Sequence, residues 1–221
     1  MRETFKPLVY SYTMLKTADT CLYKAYRQYV VRNIPFDKTP EIKWGEDVHT
    51  AMEYRLGGKP LPREMQHWEP LVAAYAERKA QPERKTGITR DGKPTGFFDA
   101  NVFLRCKIDV TMLNGENGFV ADFKTGNSKY EDPFELEVQA LTLKAMTPGL
   151  SNIAGHYLWL KENRIGQTHD LSDFQSTWAR IHNKVEVIED ALASSEWPKT
   201  KGPLCGWCGV KDCENNPNAK P

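Results

Sequence analysis

The sequence predicts an α/β fold, a central mixed β-sheet flanked by helices on both sides. Three observations carry that expectation. Segments with helical apolar spacing alternate with strand-like runs along the chain. Between Phe103 and Thr125, two runs of strand-forming residues flank a loop containing Asn114-Gly115 and Asn117-Gly118, residue pairs suited to a tight hairpin. The chain of 221 residues is long enough to bury a substantial core as a single domain, 1–221.

The elements follow in order. Tyr10 to Val31 reads as one helix, capped by Ser11, with Leu15, Leu22 and Tyr26 as apolar anchors and Cys21 inside it. Asn33 to Pro40 is a loop with two prolines. Ile42 to Leu56 is a helix with Trp44, Val48, Met52 and Leu56 on one face; His49 sits beside that face with Glu46 and Glu53 a turn away on either side. After a Gly/Pro break at 57–62, Glu64 to Ala80 forms a further helix with Met65, Trp68, Leu71, Val72 and Tyr75 inward and His67 at the surface. Glu83 to Thr89 reads as the first strand, followed by a polar turn at Asp91-Gly92 and then the hairpin. Asp132-Pro133 opens the next helix: the aspartate caps, the proline takes the first position and Glu135 completes a capping box. Phe134, Val138, Leu141 and Ala145 form its apolar stripe, and Gln139 falls near the polar face of the hairpin. Two strands are expected at Ile153–Lys161 and Arg164–Asp170; their Tyr157 and Trp159 suit either a core or stacking on unpaired bases. Ser172 to Ser194 is an amphipathic helix built on Phe174, Trp178, Ile181, Val185, Ile188 and Leu192.

Charge is nearly balanced, 30 Lys and Arg against 29 Asp and Glu, so attraction to nucleic acid must come from local basic patches. The polar N-terminus and the lack of a long apolar run point to a cytoplasmic protein with no membrane span. In that compartment five cysteines are expected to be metal ligands or free thiols rather than disulfides.

The chemistry concentrates in the hairpin. Strand alternation puts Asp122 and Lys124 on one face and Phe123 on the other, with Asp109 at the end of the preceding strand. Two adjacent carboxylates repel unless a cation lies between them, and such oxygen ligands suit Mg²⁺ or Mn²⁺. Lys124 can then orient or deprotonate a water and offset charge developing on a phosphoryl group. Asp-x-Lys alone is a common tripeptide and reads as two solvated charges; its pairing with Asp109 is what gives it weight.

Asp109 followed by Asp122-Phe-Lys124-Thr resembles the PD-(D/E)XK nuclease superfamily in its RecB-like branch. That pattern usually has Gly three residues before the first aspartate, where this chain has Cys106. The resemblance implies a restriction-endonuclease-like core. His49 on its own helix reads as an ordinary, partly buried histidine, but the resemblance makes it a metal ligand, with Gly45 and Val48 standing as the pattern expects. It further implies that His49, Asp109, Asp122 and the Phe123 carbonyl hold Mg²⁺ or Mn²⁺, that Lys124 positions the attacking water and that Gln139 holds DNA or a catalytic carboxylate. The tyrosine expected four residues after the glutamine is Leu143 here.

From Trp197 the composition shifts to Pro, Gly, Asn and Lys, yet Cys205, Cys208 and Cys213 fall within one short loop, a strong metal-binding spacing. Cys21 is the best candidate for a fourth ligand and Cys106 the poorer one. A lone early cysteine with three late ones resembles the iron–sulfur branch of RecB-like nucleases, which includes CRISPR-associated exonucleases. It implies a 4Fe–4S cluster joining 1–31 to 197–213 as a C-terminal cysteine-bound cap; all-thiolate ligation also suits Zn²⁺. The function so implied is a metal-dependent DNA exonuclease acting on single-stranded or free ends, with protein partners in recombination, repair or CRISPR adaptation. A non-cleaving DNA-binding adaptor and a zinc-stapled protein-interaction module are the alternatives.

Overall fold

The computed structural model describes residues 7–34 and 39–219. Of the loop expected at 33–40, residues 35–38 lie outside the described ones. In chain order, α1 (Tyr12–Thr20) and the single turn α2 (Leu22–Ala25) lead into a π-helical turn at Tyr26–Val30. Then come α3 (Pro40–Leu56), a 3-10 turn (Arg63–Trp68), α4 (Glu69–Glu77), β1 (Gln81–Ile88), β2 (Pro94–Thr95), β3 (Leu104–Asn114) and β4 (Asn117–Lys124). The chain continues through α5 (Phe134–Met146), β5 (Asn152–Trp159), β6 (Arg164–Ile165), β7 (His169–Asp170) and α6 (Phe174–Ser194). These elements divide into two compact units, Lys38–Thr177 and Met1–Asp37 with Trp178–Pro221.

The larger unit is built on one seven-stranded mixed sheet, ordered β2-β1-β3-β4-β5-β6, with β7 also paired to β5. Neighbours are antiparallel except β4 and β5, which run parallel from Asn117↔Asn152 to Lys124↔Trp159. A parallel step needs a crossover, and α5 supplies it. The β3–β4 reversal is closed between Asn114 and Asn117, with Gly115 at φ +60°. Within β5, a Cβ at Gly155 would lie 2.6 Å from the Val120 carbonyl oxygen, so only glycine lets the two strands pair here.

Helices cover both faces, as expected for this class. On one, Leu136, Ala140 and Leu143 of α5 pack against Ile108, Val120, Ile153, Tyr157 and Trp159. On the other, Val48 and Met52 of α3 and Val72 and Tyr75 of α4 pack against Val110, Ala121, Phe123 and Leu158. Thr39 caps α3 by accepting the Ile42 N–H at 3.4 Å, with Pro40 in the first turn.

Several expectations change in detail. The helix foreseen over 64–80 starts as a 3-10 turn and restarts as α4 where Pro70 removes an N–H in the first turn. Trp44 is exposed rather than inward. Tyr157 and Trp159 are core residues: the Tyr157 hydroxyl donates to the Asp132 carbonyl at 2.7 Å and the Trp159 indole to Glu131 at 3.0 Å. The strand expected over 164–170 is two short ones.

In the smaller unit the first helix is broken at Cys21, whose φ −166°, ψ 112° is extended backbone; its N–H still bonds the Thr17 carbonyl at 2.9 Å. The cysteine therefore sits at a break between two helices, not inside one. Ile181, Val185, Ile188 and Ala191 of α6 are buried. Lys184 of α6 pairs with Asp19 at 2.5 Å, and the Tyr10 hydroxyl donates to Glu189 at 3.2 Å. Tyr26 stacks on Trp197 with ring centroids 4.8 Å apart, and Arg27 reaches both oxygens of Asp212 at 2.9 Å.

Candidate active site

The site grows from an interruption in the sheet. The β3–β4 ladder ends at Val110↔Ala121. One residue earlier, the Asp109 side chain takes over: its Oδ2 accepts the Phe123 N–H at 2.9 Å. Asp109 thus lies in the middle of β3, not at a strand end, and a carboxylate stands where a backbone acceptor would be. The same Oδ2 is 3.1 Å from His49 Nδ1 on α3, and the His49 ring meets the buried Phe123 ring edge-on. Gly45, one turn before His49, brings α3 close to the end of β4: a Cβ there would lie 3.6 Å from Thr125 Oγ1.

Asp122 is buried on the α5 side of the sheet. Its Oδ1 accepts from Gln139 Nε2 at 2.8 Å. Its Oδ2 is 2.6 Å from Lys124 Nζ, yet neither this oxygen nor Gln139 Oε1 has a well-directed hydrogen-bond donor. Lys124 Nζ is also 2.6 Å from Glu135 Oε2 and lies 5.3 Å from the centre of the Tyr157 ring.

The named polar residues therefore converge: His49, Asp109, Asp122, Lys124 and Gln139, with Phe123 between them. Glu135 joins them and was not foreseen as a site residue. Instead of closing a capping box it turns to Lys124; Pro133 is the cap position rather than the first helical residue, and Asp132 Oδ1, one residue before it, accepts the Phe134 N–H at 3.0 Å. Its position four residues before Gln139, on the same helix face, was the signal available in the sequence.

The electrostatics follow from three carboxylates set close together, two of them, Asp122 and Glu135, on Lys124 and the third, Asp109, against His49. Burial, reinforced by the charge of Asp122, raises the Asp109 carboxyl above the usual range against the pull of His49 and the Phe123 N–H. Burial and then Asp122 push Glu135 up to about 7. Burial acts to lower Lys124, but the carboxylates of Asp122 and Glu135 outweigh it and hold the ammonium protonated far above neutrality. Burial likewise acts to lower His49, and its hydrogen bond to Asp109 raises it on balance.

Among the described residues, no three His, Cys, Asp or Glu side chains form a group that could hold a metal ion as they stand. Each donor is turned onto a protein partner: Asp109 onto His49 and the Phe123 N–H, Asp122 onto Lys124 and Gln139. The donor set nonetheless fits a hard divalent cation. It offers carboxylate and imidazole donors, carries more negative than positive charge, and includes a buried Asp122 oxygen without a directed donor.

In the smaller unit, Cys21, Cys205, Cys208 and Cys213 line one small cavity, and all four are free thiols. The Thr200 N–H points at Cys21 Sγ at 3.5 Å and the Gly202 N–H at Cys205 Sγ at 3.4 Å. Asn216, itself buried, ties the carbonyls of Cys208 and Val210 at 3.1 and 3.2 Å. Cys106 belongs to the other unit. It contacts Thr142 and Thr86 Oγ1 at 2.9 and 3.1 Å, and burial pushes its thiol up to about 11, which disfavours the thiolate a metal needs.

A family model described as the PD-(D/E)XK nuclease superfamily matches residues 9–213. The chain belongs to the PD-(D/E)XK nuclease superfamily. Members of this superfamily are generally metal-dependent nucleases, and a nucleic-acid substrate is what membership implies. No curated protein matches the sequence. Among solved structures the chain is similar to one described as the crystal structure of SSO0001, with a TM-score of 0.51 and 12% identity, over 96% of this chain and 88% of that one. A likeness at that identity speaks to the fold. Among the described residues, no helix is long and apolar enough to cross a membrane.

Proposed function

We propose that the chain is a metal-dependent deoxyribonuclease of the RecB-like kind, an exonuclease that hydrolyses phosphodiester bonds at single-stranded ends in the cytoplasm. The observation that carries this reading is the cluster of three carboxylates, in which Asp122 and Glu135 share Lys124 and Asp109 faces His49. A purely structural cluster would balance its charges; this one is short of cations.

His49, Asp109, Asp122 and the Phe123 carbonyl are the ligands proposed for Mg²⁺ or Mn²⁺, which when bound supplies Lewis acidity toward a phosphate. The chain's own groups do the rest. Lys124, kept protonated by Asp122 and Glu135, orients the attacking water and offsets charge on the phosphoryl oxygens; its raised pKa argues against its acting as a base. Glu135, near neutrality and 2.6 Å from Lys124, is the group suited to take a proton. Gln139 fixes Asp122 with its amide N–H and keeps its oxygen free to accept from water.

The four cysteines are proposed to hold a 4Fe–4S cluster of structural role that joins 1–31 to 197–213, with Zn²⁺ as the other occupant such thiolates accept. Support comes from the four thiols sharing one cavity in a segment with little core of its own. Partners in recombination, repair or CRISPR adaptation go with this reading.

The test is incubation of anaerobically purified protein with end-labelled single- and double-stranded DNA and Mn²⁺. Progressive shortening of the single strand, abolished by chelation, is expected; intact DNA under all conditions would refute a nuclease and favour a non-cleaving adaptor. The same preparation should be brown, and Cys21→Ala, but not Cys106→Ala, should lose the colour. Colourless protein with one zinc per chain would replace the cluster by a zinc staple.

A further inference from the structure

The strand face leading away from Asp109 takes no part in the cluster above. Along β3, Leu104, Cys106 and Ile108 turn inward, and the last two pack with the α5 side of the core. Alternation therefore sets Arg105 and Lys107 on the opposite face with Asp109, at steps of about 7 Å along the strand. Lys107 is paired in register with Lys85 of β1, two like charges directly across the ladder. Such a pair repels. Both ammonium groups nevertheless converge on one atom, Glu83 Oε1, at 3.3 and 3.4 Å. Glu83 reaches them from a φ of +25°, a backbone conformation that side-chain-bearing residues rarely adopt. Lys85 and Lys107 are each about half exposed.

A single carboxylate oxygen between two opposed lysines has the donor arrangement of an anion site, with Glu83 standing in for the anion. Two residues on, Arg105 is paired with Gly87, where a Cβ would lie 3.1 Å from the Thr95 and Gly96 carbonyl oxygens. The Arg105 guanidinium lies 4.9 Å from the Phe97 ring centre, and Phe97 meets Phe98 edge-on at 4.9 Å. Phe98 is 79% exposed, among the most exposed large apolar side chains described. An exposed aromatic ring beside paired cations suits a nucleic-acid strand whose bases are unstacked; a duplex hides the base faces that such a ring would cover.

We propose that this face is the path of an unpaired DNA strand running from the site. Lys85 and Lys107 hold a phosphate that displaces the Glu83 carboxylate, and the Phe97–Phe98 pair receives a base. The proposal rests on the nuclease reading and assigns its substrate a path and a single-stranded character.

The experiment measures anisotropy of a fluorescein-labelled 20-mer oligothymidine with the full chain in EDTA across a salt series. Cleavage of the same oligonucleotide in Mn²⁺ is run alongside, and thermal melting confirms that each variant folds. The double variant Lys85→Ala/Lys107→Ala should bind roughly fivefold more weakly near 0.1 M salt. Its slope of log affinity against log salt should be smaller by about 0.7, from one lost phosphate contact. Glu83→Gln should bind several-fold more tightly. Phe98→Ala should weaken the single strand by about tenfold while leaving a blunt duplex unchanged. Wild-type protein that binds and cuts while the double variant keeps both affinity and salt slope would overturn the path and leave the nuclease reading standing. Wild-type protein that neither binds nor cuts would remove the reading on which the path rests. A Phe98→Ala loss equal for duplex and single strand would overturn the assignment to an unpaired strand.

Discussion

The larger unit encloses two buried polar groups on adjacent strands, and they are built on opposite principles. On β5, His156 sits between the Tyr75 hydroxyl at Nε2 and Thr168 Oγ1 at Nδ1, the latter at 3.2 Å, with the Phe119 ring edge-on at 4.9 Å. Both ring nitrogens are used, and burial holds the imidazole neutral, lowering its pKa to about 4, while Tyr75 is pushed up to about 12. On β4, Asp122 and Lys124 meet Glu135 and Gln139 with charge in excess and acceptor oxygens left over. The first group is satisfied and belongs to the core. The second keeps unspent hydrogen-bonding capacity and unbalanced charge, which a stable core avoids and a catalytic site requires. Burial alone does not tell them apart; satisfaction does.

The contrast is broken most strongly by Asp122→Asn. The amide oxygen can still accept from Gln139, so the fold should hold, yet cleavage should fall by at least about 100-fold in a labelled-DNA assay. The counterpart on β5, His156→Ala, should act on stability instead. It leaves a cavity and strips the buried Tyr75 hydroxyl of its partner, costing about 2–4 kcal/mol in urea unfolding. Cleavage per folded molecule should stay at the wild-type level; a specific loss of turnover would place His156 in the reaction.

A His156 pKa of about 4 when folded, against 6.5 as its ordinary value, means the unfolded chain binds the extra proton between those values. Stability from this group is full above pH 6.5 and is lost as pH falls toward 4, a swing of roughly 3 kcal/mol. Glu135, at about 7 against 4.5, does the reverse: the folded state holds the proton, so stability falls as pH rises through that window. The two slopes oppose each other in the wild type. Glu135→Gln should uncover the His156 slope, so that metal-free protein gains more stability from pH 4.5 to 6.5 than wild type does; an unchanged slope in urea midpoints would contradict the assignment. The smallest effect is expected from Asp109→Asn. Removing one of two repelling carboxylates should leave the metal-free melting temperature level or slightly higher, and a marked drop would make Asp109 a structural partner of His49 and the Phe123 N–H.

What the sequence made legible was local and periodic. Alternation around Asp122-Phe123-Lys124 foretold which side chains share a face, and Asn114-Gly115 located the reversal. The apolar stripe of Ile181, Val185 and Ile188 located the last long helix. The rest depended on contacts distant in sequence. Glu135 looked like part of a helix cap because its true partner, Lys124, lies on another element; only the fold brings them to 2.6 Å. Asp109 looked like a strand end because nothing local announces that its carboxylate replaces a ladder acceptor. The break at Cys21 was hidden by neighbours with ordinary helical character, and Trp44 kept the helical period while facing solvent.

On the proposed reading, the unbalanced cluster on β4 is a nuclease site organised around Lys124. Its most direct measurement compares wild type and Lys124→Ala on one end-labelled single strand in Mn²⁺, reading cleavage rate and DNA affinity in parallel. Cleavage lower by two to three orders of magnitude, about 3–4 kcal/mol of lost transition-state stabilisation, with affinity within a few-fold of wild type, is the predicted result. A Lys124→Ala protein that cuts at near the wild-type rate would contradict it.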